Sequence, residues 1–335
     1  MIALDRRTFI ASGVAAGLAA TPRFARAAAP TPITITVTHY PEQDYALPVV
    51  MAQQLGYLQH EGIELKEIVG SSGGGTTVRN ITSGGLLLGE VATPAAIKAI
   101  LAGEDVRIIA GGVQTLGTIC WVVKKDSPIK TIGDLVGKTV GFSNPGSVSE
   151  SALQIALKNA HVDPAGVKTR AAGGIGENYT LLMTGGLDVA FTVDPLLYEH
   201  RDQLRVVFFA RQYVPRFLQT VWLASTQTLR ERTPFIAGFL RARAKGVDYV
   251  VSHPIQAAQR YAKLTNGDQR ASAVTLAQEQ PASYFGHGEL DQNSLALIVE
   301  SMRIGKLLGS DKVDLPKLVD QSAQPAGHRS RLSEV

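Results

Sequence analysis

Apolar and polar residues alternate along Ile33-Thr34-Ile35-Thr36-Val37 and again along Ile63-Glu64-Leu65-Lys66-Glu67-Ile68. A period of two predicts half-buried strands. Between them, residues 47–59 carry apolar side chains at helical spacing and stop near Gly62. A Gly/Ser loop follows. Then come a helix ending at Gly84-Gly85, a buried strand over 86–91, a helix opened by Pro94 and a strand over 106–109. The same alternation returns further along: strand 139–142, helix 147–160, strand 167–170, a helix to 184, strand 187–191, a helix from Pro195 and strand 205–209. Strands alternating with helices predict parallel α/β sheets. After Pro234 the spacing is helical, over 235–251, 254–263, 271–279 and 294–307. These helices are expected to pack on the first of the two halves.

The two halves share a repeat. Gly84-Gly85-Leu86 precedes Thr93-Pro94 by the same interval that separates Gly185-Gly186-Leu187 from Asp194-Pro195. A glycine loop lies upstream of each, Gly70-Ser71-Ser72-Gly73-Gly74-Gly75 and Ala171-Ala172-Gly173-Gly174-Ile175-Gly176, and one shift of 101 residues superposes the pairs. A repeat of domain length predicts two lobes of like topology rather than a solenoid. The segments 118–123 and 219–224 are strand-like, each with a central Trp, and they bracket the second lobe. They read as two crossings between lobes, which suits a hinge. The expected layout is lobe 1 from 31–118 and 222–320, lobe 2 from 119–221, and a frayed tail over 321–335.

The first 27 residues carry a different pattern. Arg6-Arg7 precedes Phe9-Ile10, a soft Ala/Gly-rich stretch follows, and Ala25-Arg26-Ala27 offers a small-x-small cleavage site. A charged start, a short apolar middle and a small-residue exit predict a secretory signal, of the twin-arginine type given the arginine pair. The apolar run is about half of what spans a bilayer. The expected location is the periplasm, with cleavage near Ala27. The chain has a net charge of +4; removing Arg6, Arg7, Arg23, Arg26 and Asp5 takes away a net +3 and leaves +1. Such a balance does not suggest a polybasic nucleic-acid surface. The single cysteine, Cys120, cannot form an intramolecular disulfide.

Ligands of open α/β sheets bind beyond the carboxyl ends of the strands. Those positions are Tyr40, the loop with Ser71, Ser72, Gly73 and Thr76, then Thr93, the loop with Ser143, Asn144, Ser147 and Ser149, residues 173–178, and Asp194. Several open helices, where free N–H groups and the helix dipole favour an anion. Each loop is also a possible helix cap, and Asp194 a cap before Pro195; two such loops facing one cleft favour a site. Tyr40 could stack on an organic ligand or simply pack. Neither loop has the endings of a nucleotide-binding loop. The seven histidines are scattered without metal-ligand spacing, Cys120 sits in an apolar strand, and Glu104-Asp105 reads as a solvated turn. Nucleophile, base and metal stay unassigned, so no enzyme and no cofactor are predicted.

The glycine loop over 70–77, Asn80-Ile81-Thr82-Ser83-Gly84-Gly85, Ala92-Thr93-Pro94 and Asp134-Leu135-Val136-Gly137-Lys138-Thr139-Val140-Gly141-Phe142 resemble the solute-binding proteins of ABC transporters. The group they resemble is the nitrate/sulfonate/taurine-binding type, also described as thiamine-pyrimidine-precursor-like. The resemblance implies a type II periplasmic binding protein fold, with two α/β lobes joined by a two-strand hinge. It implies a monomer that closes on a small organic anion and hands it to a permease and its ATPase. By position it places ligand contacts at Tyr40, Ser71–Thr76, Thr93, Ser143–Ser149 and Asp194. Its intracellular thiamine-precursor branch uses a cysteine-rich motif that this sequence lacks. A two-lobed enzyme and a sensor of a small metabolite are the alternatives.

Overall fold

The computed structural model describes residues 29–214 and 216–335. The secretory signal expected over residues 1–27 lies outside them. No helix among the described residues is long and apolar enough to cross a membrane.

The first lobe begins with β1 (Thr31–Thr38), α1 (Leu47–Gln54), α2 (Tyr57–His60), β2 (Ile63–Ser71), α3 (Gly74–Thr82), β3 (Leu88–Ala92), α4 (Thr93–Leu101) and β4 (Val106–Gly111). The second holds β5 (Cys120–Lys124), β6 (Thr139–Phe142), α5 (Val148–Asn159), β7 (Lys168–Ala171), α6 (Ile175–Thr184), β8 (Ala190–Thr192), α7 (Leu196–Glu199) and β9 (Leu204–Phe209). The chain then adds β10 (Thr220–Ser225), α8 (Thr226–Ser252), α9 (Pro254–Thr265), α10 (Gln269–Glu279), α11 (Pro281–Tyr284), α12 (Gln292–Ile304) and α13 (Leu315–Leu318).

The first sheet runs β2-β1-β3-β10-β4. Its strands β2, β1 and β3 pair in parallel, and β10 lies antiparallel between β3 and β4. The second lobe repeats the plan. Strands β6 and β7 pair in parallel, β5 lies antiparallel between β8 and β9, and a bridge from Val140 to Val189 joins the two sets. The repeat in sequence is thus a repeat of sheet order. The shift of 101 also superposes Trp121 on Trp222. Each Trp sits in its sheet's antiparallel strand, directly before a register slip against the neighbouring edge strand. Both rings are fully buried. Trp121 donates from Nε1 to the Gly141 carbonyl at 2.9 Å and stacks on Phe208 at 4.9 Å; Trp222 packs edge-on to Phe239.

This corrects the reading of 118–123 and 219–224 as the crossings themselves. An unbroken apolar run marks a strand buried on both faces, and β5 and β10 are such strands inside the sheets. The crossings lie just outside them. They run side by side: Phe217 and Gln219 donate from their amides to the Gln114 and Val113 carbonyls, at 3.4 and 2.8 Å, and Arg211 Nη1 donates to the Gly117 carbonyl at 2.7 Å.

Helix α8 packs on α1 and α2 and on the first sheet, with α9 beside α1, as the helical spacing predicts. Pro234 lies inside α8, and the helix kinks at Arg232. Helix α12 departs from the expectation: it packs between α4 of the first lobe and α5 of the second. The last residues are tied down rather than frayed. Gln324 donates from Nε2 to the Ile109 and Gly288 carbonyls, and Val335 exchanges backbone hydrogen bonds with Val313. Polar composition predicted a loose end, but Ala323 and Gln324 are buried against the first lobe.

Candidate functional site

The strand ends and helix starts of both lobes meet in one cleft. Its first cavity, about 520 Å³, is lined from the first lobe by Ser72, Gly73 and Thr76 and from the second by Ser143, Asn144, Ser147 and Ser149. Seven residues singled out in the sequence therefore come together there. The approach is close: a Cβ on Gly73 would lie 3.3 Å from Asn144 Nδ2.

The glycine loop turns directly from β2 into α3. Gly74 has to be glycine because α3 starts against α4; a Cβ there would fall 2.6 Å from the Cβ of Ala95. Ser71 Oγ and Thr77 Oγ1 are 2.6 Å apart, and Thr77 Oγ1 reaches Thr38 Oγ1 at 2.8 Å. This chain of hydroxyls fixes the loop to the end of β1. Across the cleft, Ser149 Oγ accepts from the Ser143 amide at 2.9 Å and contacts Ser147 Oγ at 3.0 Å. Ser147 caps α5, accepting from the Glu150 amide at 3.1 Å. Both helices point N-termini into the cavity, and Arg79 and Lys98 add two cations to its wall; Glu104 is the one lining acid among the described residues. Partial positive charge at helix starts together with two cations makes this end of the cleft a place for an anion.

The remaining predicted residues fall elsewhere. Tyr40 and Ser71 line a neighbouring cavity of about 680 Å³, together with Gly174, Ile175 and Glu177. The Tyr40 ring meets Tyr261 edge-on at 6.4 Å. Asp194 lines a third cavity of about 250 Å³. Its Oδ1 accepts from the Tyr198 amide at 3.0 Å, so it caps α7 as well as facing the cleft. Thr93 lines none of these cavities. It is fully buried and donates from Oγ1 to the Leu218 carbonyl at 2.6 Å, pinning the start of α4 to the returning crossing.

Sequence reasoning missed His39, Gln43 and Tyr45, which also line the first cavity. The signal for His39 was its place next to Tyr40 at the end of β1. Burial lowers its imidazole to a pKa of about 4, so it is neutral at neutral pH. Gln219 donates from Nε2 to the Tyr45 hydroxyl. Gly70-Ser71-Ser72-Gly73-Gly74 has Gly-x-Ser-x-Gly spacing at a strand-to-helix turn, which corrects the expectation that the sequence holds no such elbow. Ser72 and His39 line the same cavity, and no hydrogen bond joins them among the described residues. Cys120 is buried and its thiol is pushed well up by desolvation, the opposite of a reactive thiolate.

Beneath the cleft, the fully buried Glu90 accepts from Thr220 Oγ1 at 2.6 Å, and its second oxygen has no partner among the described residues. Desolvation outweighs the attraction of Arg243 and raises the Glu90 carboxyl to about 7. Its folded pKa thus exceeds its ordinary value of 4.5. The stability it contributes is full below about pH 4.5 and is lost as pH rises through about 7, a displacement worth on the order of 3 kcal/mol. Glu90→Gln keeps an acceptor for Thr220. It is expected to gain stability over the wild type as pH rises from 5 to 8, measured by paired denaturant titrations. Profiles that stay parallel over that range would rule out a protonated Glu90.

A sequence model of the family described as NMT1/THI5 like matches residues 43–257. The periplasmic aliphatic sulphonate binding protein SsuA of Escherichia coli is 20% identical; 87% of this chain aligns with 98% of that one at a TM-score of 0.70. The alkanesulfonate-binding protein SsuA of Xanthomonas axonopodis pv. citri, bound to MOPS, is 17% identical over 89% of this chain and 99% of that one, at a TM-score of 0.71. A Haemophilus influenzae protein provisionally named for thiamine biosynthesis is 24% identical over 240 residues, 68% of this chain and 72% of that one. At these identities the structural likeness is one of fold, and that fold is the periplasmic binding protein fold.

Proposed function

Because the chain belongs to the NMT1/THI5-like family, we propose that it is the solute-binding component of an ABC importer. It captures a small organic anion of the sulfonate, taurine, nitrate or aromatic-acid class between its lobes and delivers it to a permease driven by an ATPase. In this reading residues 1–27 export the chain, by the twin-arginine route, to the periplasm, where it acts as a monomer. The observation that carries the reading is the 520 Å³ cavity whose opposite walls are helix starts from different lobes, with Arg79 and Lys98 beside them. The fold is shared with proteins named for binding sulfonates.

The chemistry follows from that arrangement. An acid head between α3 and α5 accepts from backbone N–H groups of both lobes and from Ser147. Those dipoles count for more once water is excluded. A solute touching both lobes stabilises the closed arrangement of the two, and the closed form is what a permease would recognise. The Ser143–Ser149 loop holds the head, while Tyr40 and neighbouring apolar groups take the tail. Asp194 stands apart from the head, beyond Gln43 and Ile119.

A thermal-shift panel of the mature protein against alkanesulfonates, taurine, nitrate, aromatic carboxylates and pyrimidines tests this. A binder at a hundred times its Kd is expected to add about 2.7 kcal/mol of stability. Stabilisation by neutral heterocycles alone, with none by any acid, would contradict an anion site.

A further inference from the structure

His39 stands between two cavities of the cleft. It lines the 520 Å³ cavity on one side and the neighbouring 680 Å³ cavity on the other, as Ser72 does. Its backbone is held twice. The amide donates to the Ser71 carbonyl at 2.8 Å, and the carbonyl accepts from the Gln43 amide at 2.9 Å. The residue sits in the left-handed region, at φ 56°, a conformation that side chains other than glycine seldom adopt and that the surrounding structure has to enforce. Gly70 lets β2 close on this turn, since a Cβ there would fall 2.1 Å from the Tyr40 carbonyl oxygen. The packing thus sets an imidazole beside the glycine loop, at the end of the cleft proposed for the acid head.

Buried polar groups are ordinarily hydrogen-bonded, yet the His39 ring has no partner among the described residues. Two sets of charges face it. Arg79, Lys98 and Glu104 stand on the wall of the first cavity, and Glu42, Glu177 and Glu199 on that of the second, all of them exposed. Tyr40 and Tyr45, which line one cavity each, keep their phenol protons because burial raises both. Glu177 draws a proton toward the ring, and desolvation outweighs it, so His39 is neutral before a solute arrives.

We propose that His39 is a proton-accepting residue of the ligand site: an acidic solute enters the cleft together with one proton from solvent, which settles on His39 and makes the imidazolium a counter-charge to the solute's head. The proposal rests on the solute-binding reading and deepens it. An anion within about 4–6 Å favours the charged imidazole, lifting its titration from about 4 toward neutrality. The protonated ring donates from both nitrogens, and hydrogen bonds between ionised partners are roughly twice as strong as neutral ones. No bond in the solute changes. The bound state holds one proton more than the free state, so affinity is highest in acid and falls as pH rises through the titration of the bound state.

Titration calorimetry of residues 28–335 with butanesulfonate, benzenesulfonate and nitrate tests this, because all three stay ionised from about pH 5.5 to 8. Repeating the titrations in buffers of different ionisation enthalpy counts the protons taken up. The expected result is uptake of close to one proton per solute at about pH 5.5, with affinity about tenfold tighter there than at pH 8. His39→Asn is expected to abolish both the uptake and the pH dependence; asparagine tolerates left-handed backbone and takes up no proton. Glu90, fully buried beneath the cleft and titrating at about 7, is the other group whose proton could be counted, and Glu90→Gln is expected to keep the uptake. Should His39→Asn not fold, Glu177→Gln takes its place: without the acid that draws a proton to the ring, the affinity profile moves to lower pH. Saturable binding with a flat profile and no proton uptake overturns the proposal and leaves the anion site standing. Uptake that persists in His39→Asn, or that disappears in Glu90→Gln, also overturns it. Failure of all three anions to bind at about pH 5.5 overturns the proposal and the anion reading together.

Discussion

Ser147→Asp is expected to weaken binding of an acidic solute at least a hundredfold while leaving the fold intact. Ser147 sits at the start of α5 with its hydroxyl accepting from the Glu150 amide, and aspartate fills that capping role as well as serine does. Stability should therefore change little. The new carboxylate stands where the solute's acid head is proposed to lie. Two like charges about 4 Å apart at an effective dielectric of about 20 repel by about 4 kcal/mol, more than the roughly 2.7 kcal/mol that a hundredfold loss represents. Ser147→Ala separates the two roles: it loses the cap and one donor but adds no charge, and should bind far better than Ser147→Asp. The comparison is read by calorimetry at matched protein stability. Unchanged affinity in Ser147→Asp would remove the anion from this end of the cleft.

Gly246→Ala is expected to destabilise the protein by on the order of 3 kcal/mol, at the upper end for an overpacked core. Helices α1 and α8 cross at this point, and a Cβ on Gly246 would fall 2.0 Å from the Pro48 carbonyl oxygen and 2.9 Å from its carbon. Both are backbone atoms, so no side chain can swing away and the helices have to separate. A fall of roughly 5–10 °C in Tm is the expected reading. Gly176→Ala in α6 is the control, because a Cβ there meets nothing within 4 Å. Its Tm should be unchanged or slightly raised. Equal Tm values for the two variants would mean that α1 and α8 do not cross this closely.

The strands and most helix starts were legible in the sequence because they rest on local signals. Alternation at β1 and β2 and the prolines opening α4 and α9 are read from neighbours alone. The repeat was legible too, since Gly84-Gly85 and Gly185-Gly186 close equivalent helices. Strands β5 and β10 read as crossings in the sequence because an apolar run reports burial and says nothing about which sheet provides it. Thr93 shows the same limit at the level of one residue. It stands at a strand end where ligands are usually held, and its hydroxyl is spent on a carbonyl 125 residues away. The contact between the Asp44 and Glu279 carboxyls was out of reach for the opposite reason. Asp44 lies in a short turn and Glu279 at the end of α10. Each alone looks like a solvated helix-end acid, and only the return of the last helices to the cleft brings them together.

In the proposed function one acidic solute is held, unchanged, between the lobes. Calorimetric titration of residues 28–335 with the sulfonate or carboxylate that most raises their Tm, followed by recovery of the solute from the denatured complex, checks this. Saturation at one solute per chain and recovery of that solute intact are expected. No saturable binding by any acid, or a solute recovered as a different compound, would contradict it.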